Sequence, residues 1–406
     1  MDSLIVAAAQ ALASGDALGA MKRVALRDDA PALALRGIAL AQLGDFDRAK
    51  TLLKSAVRAF GPRETVARAR CIVAEAEIAL VSRDLGWPEK ALETARIVLD
   101  RHGDRINAAH ARNLQIRRLL LVGHLDEAER LLAKLDPSPL PPAARASHEL
   151  AVAGIAIRRL RTEPARAALA RAAEAARKAG IPALSIEVRD AALALEAPAA
   201  RLIARGTERL LSLGEVEALL SSGALVVDAC RNVVRSGGEI VPLASRPVLF
   251  ALARVLAEAA PADASRAVLL SRAFRARHAD ESHRARLRVE IGRLRAALEP
   301  FADIGATPRG FVLTPRRERD IVVLAPPIEA EHAFLLALLA DGEAWSSSAL
   351  AIALGTSPRT VQRALDGLAV SGRVQSIGNG RARRWMMPPV VGFPTTLLLP
   401  GPLPSD

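Results

Sequence analysis

At 406 residues the chain is long enough for two to four domains, and 51% hydrophobic against 25% charged residues excludes wholesale disorder. Its formal charge of +12 points to an acidic partner, but residues 1–222 and 223–406 each carry +6, so net charge does not locate one. Aromatics are only 3%, with no Tyr, while Ala, Leu and Arg dominate, a mix that favours helices.

The amino terminus carries Asp2 where a secretion signal needs a base, and Ser14, Gly15 and Asp16 break its apolar stretch. No run approaches the ~18 consecutive apolar residues of a membrane span, so a cytoplasmic chain without membrane contact is expected. Cys71 and Cys230 lie far apart with no CxxC partner, which excludes a disulfide framework and predicts two buried thiols. The seven His are scattered, and His102 and His110 are too far apart for a helical metal pair. No GxGxxG, Walker, GxSxG or HExxH pattern occurs. The expectation is a protein without metal or cofactor that is not an enzyme.

Residues 1–200 read as helix after helix. Four breaks look alike: Gly44–Ala49, Gly86–Ala91, Gly123–Ala128 and Thr162–Ala167, starting 42, 37 and 39 residues apart. In each, a Gly or short polar turn closes one helix, an acid or Pro opens the next, and a small Ala lets the two cross closely. An apolar residue follows four places on in the first three, at Leu53, Ala95 and Leu132; the fourth has Arg171 there. Units of this kind bury their apolar faces only by stacking. The pattern resembles the tetratricopeptide repeat, best in Ala30–Pro62, where Gly37, Leu40, Gly44, Ala49, Leu53 and Ala56 fall at its small and apolar positions. Leu33 stands where that family often has Trp, and the periods exceed its usual 34. Trp87 reads as a packing wedge at a turn. The Pro-rich break Asp136–Pro142 separates the third helix pair from the fourth.

Residues 201–223 read as a connecting helix or linker, after which the pattern turns to β. The runs Ala224–Asp228, Asn232–Arg235 and Glu239–Leu243 are short and apolar, with Ser236-Gly237-Gly238 as a hairpin turn. Helices follow at about Arg246–Ala259, from Ser265 through Phe274, and from Asp280 to Leu298. Ile304–Thr307 and Gly310–Leu313 then flank a turn at Pro308-Arg309. In the longest helix Leu287, Ile291, Leu294 and Leu298 form a buried stripe, with Arg286 and Arg293 on one flank and Arg284, Arg288 and Arg295 on the other. Such a basic rod fits a major groove.

Strand, strand, strand, helix, helix, helix, hairpin is the order of a winged helix with an amino-terminal sheet. Val241-Pro242-Leu243, Ser265 with Leu269-Leu270, the helix Arg288–Leu298 and Gly310–Leu313 together resemble the OmpR/PhoB-type DNA-binding domain over residues 224–315. The resemblance implies a recognition helix with Arg293 and Arg295 at basic positions of the family pattern, and a wing carrying Arg309. Glu290 and Gly292 replace side chains that often contact DNA in that family, so its sequence preference does not carry over.

A linker, 316–327, has a strand-like centre at Asp320–Leu324, and a second unit occupies 328–388. Helices are expected at Glu329–Leu339, from Trp345-Ser346 to Leu354, and from Gly355-Thr356-Ser357-Pro358 to about Val370. This is similar to a helix-turn-helix of the winged type. Its recognition helix would begin with Ser357, Arg359, Thr360, Gln362 and Arg363. Its wing would be Arg373–Ile377, the Gly378-Asn379-Gly380 turn and a strand bearing Arg381, Arg383 and Arg384, placed to meet phosphates. Residues 389–406 form a Pro-rich tail.

The whole reads as mainly α: a helical-repeat solenoid followed by two small α+β winged-helix domains. It resembles a winged-helix transcriptional regulator. The partners implied are double-stranded DNA, a protein or peptide held by the repeats, and a second copy in a homodimer. The alternative is a protein–protein interaction scaffold whose winged helices do not bind DNA.

Overall fold

The computed structural model describes residues 2–138, 140–274, 281–327, 332–339, 344–380 and 383–387. The chain is mainly helical with a smaller share of sheet. It divides into two compact units, Met1–Arg159 with Glu163–Ala194 and the part from Phe334 onward, and Leu160–Thr162 with Leu195–Ala333.

In the first unit, α1 (Ser3–Ala13) and α2 (Ala17–Val24) precede α3 (Ala30–Gln42), α4 (Phe46–Ala59), α5 (Thr65–Val81), α6 (Glu89–Arg101), α7 (Arg105–Val122), α8 (Leu125–Leu132), α9 (Pro142–Arg158), α10 (Thr162–Ala179) and α11 (Pro182–Glu196). Aspartates open many of them: Asp2, Asp16, Asp29, Asp45 and Asp104 each accept a hydrogen bond from a first-turn amide. Such a cap typically stabilises a helix by about 1 kcal/mol. Gly44, at φ +87°, reverses the chain between α3 and α4. Across that turn Gly37 lets the two helices touch, since a Cβ there would lie 3.0 Å from Leu53 Cγ and 3.2 Å from the Ala49 carbonyl oxygen.

The four breaks seen in the sequence open α4, α6, α8 and α10. Ala49 and Ala128 are fully buried, whereas Ala91 is half-buried and Ala167 is exposed. In α10 the buried apolar positions are Ala165, Ala168, Leu169, Ala172, Ala175 and Ala176. Arg171 pairs there with both carboxylate oxygens of Glu149 on α9, at 3.0 and 2.9 Å. The fourth break thus packs in a shifted phase, and an ion pair occupies the position that is apolar in the others. Trp87 packs half-buried against the α5–α7 cluster. Cys71 is buried, which pushes its thiol up to about 12, whereas Cys230, expected to be buried as well, is only half-buried.

The second unit starts earlier than the sequence suggests. Instead of a connecting helix, 201–223 belongs to a hairpin, β1 (Ala200–Ala204) with β2 (Thr207–Leu211), followed by α12 (Leu213–Ser221). The turn residues Arg205 and Gly206 both have positive φ, 50° and 76°, the geometry that matches strand twist in a two-residue hairpin. Next come β3 (Leu225–Asp228), β4 (Val233–Ser236) and β5 (Glu239–Pro242), with Gly237 and Gly238 in the same positive-φ turn.

The expected linker 316–327 contains β9 (Ile321–Ala325), which lies inside the sheet in the order β2-β1-β9-β3-β4-β5 and runs parallel to β3. Both faces of β3 and β9 are covered, so their sequences are apolar throughout rather than alternating. Val226, Val322 and Leu324 face the side that packs with α12 residue Val216, and Val227, Val323 and Ala325 face the side that packs with the following helices. Asp228 ends β3 buried, accepting the amides of Cys230 and Arg231 at 2.9 and 3.1 Å, and burial pushes its pKa up.

On that second face lie α13 (Pro247–Ala259), α14 (Arg266–Phe274) and α15 (Glu281–Leu298). A small sheet of β6 (Ala264–Ser265), β8 (Gly310–Pro315) and β7 (Ala302–Ala306), in that order, completes the array. Gly310 is obligatory, because a Cβ would come within 1.9 Å of the Ala264 carbonyl oxygen.

The carboxy-terminal elements are α16 (Ala333–Leu339), α17 (Ser347–Leu354), α18 (Pro358–Val370) and a hairpin of β10 (Gln375–Ile377) with β11 (Arg384–Met386). The sequence sets them apart as a unit of their own, yet they belong to the same compact unit as the amino-terminal helices, with α17 against α7. Trp345 and Trp385 are both fully buried and exchange two backbone hydrogen bonds of 2.7 Å. The Arg83 guanidinium lies 5.4 Å from the Trp345 ring centroid. Among the described residues, no helix is long and apolar enough to cross a membrane. The anticipated starts of two helices at Asp280 and Glu329, and the tail 389–406, lie outside the described residues.

Candidate nucleic-acid interface

The α15 helix is anchored by Leu287, Ile291, Leu294 and Leu298, all buried in the core that joins sheet, helices and hairpin. That stripe turns the opposite face of the helix to solvent, so the arginines anticipated there are sorted by geometry. Arg284 and Arg288 lie beside Glu281, at 3.4 and 3.8 Å, and Arg293 pairs with Glu290 at 2.9 Å. All three arginine side chains are well exposed, and so is Glu281, so its ion pairs are worth little, whereas Glu290 is only 12% exposed. Arg286 stacks over the Phe274 ring at 5.0 Å, which holds its guanidinium on one flank.

Arg295 does something different. Its Nε donates to the Ile304 carbonyl at 2.8 Å, and its guanidinium lies 5.9 Å from the Phe311 ring centroid. It ties α15 to the β7–β8 hairpin. Arg266, which sequence reasoning passed over, works from the other side, donating to the carbonyls of Pro308 and Thr307 at 2.8 and 3.1 Å and stacking on Phe311 at 5.6 Å. Asp263 accepts a 2.5 Å hydrogen bond from the Thr307 hydroxyl. The hairpin turn is therefore held at several points, and Arg309 projects from it with 76% of its side chain exposed, 3.8 Å from Asp263. No local signal could single out Arg266, because its acceptors lie more than forty residues downstream.

In α18 the buried stripe is Val361, Ala364, Leu365 and Leu368. Ser357 serves as the N-cap, accepting from the Thr360 amide at 3.1 Å and sharing a 2.8 Å hydrogen bond with its hydroxyl. Gln362 donates to Asp366 at 3.0 Å. Arg359 and Arg363 are exposed and have no ion-pair partner among the described residues. Arg383 stacks 4.1 Å over the Trp385 ring and lies 3.7 Å from Asp366, while Arg384 donates to the Arg383 carbonyl at 3.2 Å. Arg381 lies outside the described residues.

Both helices carry an exposed internal glycine four places after an arginine, Gly292 after Arg288 and Gly367 after Arg363. A Cβ at either would meet nothing within 4 Å, so packing does not require them. Each costs its helix roughly 0.5–1 kcal/mol relative to Ala. Among the described residues no cluster of His, Cys, Asp and Glu could hold a metal ion. No family model, curated protein or solved structure matches the chain.

Proposed function

We propose that this protein is a DNA-binding transcriptional regulator: two winged-helix modules contact duplex DNA, and a tetratricopeptide-like solenoid binds a protein or peptide partner or a second copy of the chain. The observation that carries this reading is the recurrence of one arrangement. In both α15 and α18, an apolar stripe anchors a helix that follows a short helix and precedes a β-hairpin, and arginines stand on its exposed side. Arginines at the helix flanks and hairpins would neutralise phosphates and release counterions, which supplies affinity. The outward faces of the two helices would enter the major groove and supply selectivity. Two modules on one chain raise each other's effective concentration on a long site.

The reading is tested with the full-length chain in a salt titration against duplex DNA with random competitor, coupled to site selection from a random pool. A steep salt dependence with one enriched motif is expected. Replacing Arg293 and Arg363 together by Ala is expected to weaken binding about tenfold or more and to flatten the salt slope. Unchanged affinity and slope would remove the assigned faces. The scaffold reading draws on the seating of α17 against α7, a protein contact already made by the second module. It predicts weak, salt-insensitive DNA contact and capture of a protein partner instead.

A further inference from the structure

Trp87 and its surroundings take no part in the proposed DNA contacts. The connection from α5 to α6 spans residues 82–88, whereas the matching connections span only 43–45, 123–124 and 159–161. The longer loop contributes Asp84, Leu85 and Trp87 to a cavity of about 100 Å³ between α5, α6, α7 and α8. Ala76, Ala79, Leu80, Leu92 and Leu114 give that cavity an apolar lining, and the two small alanines leave its room open. An apolar cavity of about 150 Å³ takes up one benzene ring, so about four or five carbons fit here. The polar part of the lining is acidic, in a chain whose formal charge is +12. Asp84, Glu89 and Glu127 line the cavity and are all exposed. Arg118, the base in the lining, is already engaged: it pairs with Glu89 and donates to the Leu85 carbonyl at 3.1 Å. Asp84 and Glu127 are held loosely, by Lys50 at 3.8 Å and His124 at 3.9 Å.

We infer that this cavity binds a small alkylamine, with its carbons among the alanines and leucines and its ammonium at the carboxylates of Asp84 and Glu127. Taking the alkyl group out of water supplies affinity, and a few polar groups at the opening select the head group. An ammonium there meets opposite charge and keeps part of its hydration, whereas a carboxylate head would meet like charge. Trp87 thus lines a ligand site, and its indole can report whether the site is filled.

The test uses the full-length chain and isopentylamine, with isopentanol and isohexanoate as neutral and anionic counterparts. Calorimetry is expected to give saturable amine binding with a dissociation constant of about 1 mM or below, at least about tenfold tighter than the carboxylate. The amine should change the tryptophan fluorescence, and Trp87→Phe should abolish that change, because Trp345 and Trp385 are fully buried elsewhere. Ala76→Val fills part of the cavity and is expected to weaken the amine about tenfold. Should that variant fail to fold, Glu127→Gln decides instead. Being at an exposed position it should fold, weaken the amine about fivefold and leave the alcohol unchanged. Absence of saturable amine binding overturns the inference. Equal affinity for amine, alcohol and carboxylate, or amine binding untouched by Glu127→Gln, does so as well. No DNA enters the measurement, so either result leaves the DNA-binding reading where it stands.

Discussion

The two arginine-bearing helices sit in supports of different kinds. α15 stands on a core built from a six-stranded sheet, three helices and a pinned hairpin, all within one stretch of chain. α18 stands on a small apolar stripe, and its unit is completed by Trp345 and Trp385 and by the contact of α17 with α7. Similar exposed surfaces here rest on unlike foundations. The core under α15 is drawn from residues 203–325, whereas α17 packs on a helix more than 200 residues earlier in the chain.

The two supports should separate most at Trp385. Its replacement by Ala removes a fully buried aromatic and is expected to cost ~3–5 kcal/mol, enough to unfold a small unit. Hydrogen exchange should then accelerate in α17, α18, β10 and β11 while β3, α13, α15 and β9 stay protected. Simultaneous loss of protection in both stretches would mean that the two supports are not independent.

Arg295 and Arg288 sharpen the contrast within α15. Arg295→Ala removes the hydrogen bond to the Ile304 carbonyl and the contact with Phe311, for an expected loss of about 1–2 kcal/mol in a chemical denaturation midpoint. Arg288→Ala, on an exposed flank, is expected to leave that midpoint within about 0.5 kcal/mol. Equal effects would show that the hairpin is not held through Arg295.

A smaller effect separates the amino-terminal helices from the sheet-bearing unit by pH. Burial disfavours the charged imidazole of His148 on α9 and lowers its pKa. As pH falls through the usual histidine range, the unfolded chain takes up a proton that the folded state resists, so stability declines with acidification. Between about pH 7.5 and 5.5 the urea midpoint of this unit should drop, and His148→Gln should flatten the dependence. The smallest effect concerns thiols. With burial pushing Cys71 up to about 12 and Cys230 up to about 11, both should react slowly with a thiol reagent at about pH 8 until denaturant is added.

Much of the fold's local vocabulary is legible because local chemistry writes it. Leucine spacing declares which side of α15 is buried, Ser346 and Ser357 announce two helix starts, and Gly237-Gly238 announces a hairpin. The matching hairpin at Arg205-Gly206 goes unread, because an arginine at φ 50° carries no turn signal in sequence. The candidate site divides the same way. Its outward arginines follow from helical periodicity, but the separate tasks of Arg295 and Arg266 depend on carbonyls and a ring supplied by the hairpin.

What the sequence determined by itself is therefore the mainly helical character, the stripe that orients each helix, and the residues left facing outward. Those properties depend on neighbours within one or two turns. Tertiary structure alone decided that β9 would run between β1 and β3, that the hairpin would be pinned by arginines from two helices, that Trp345 and Trp385 would exchange backbone hydrogen bonds, and that α17 would pack on α7. These pairings join segments far apart in the chain, and they form only where buried strands and side chains find partners for their polar groups and apolar surface.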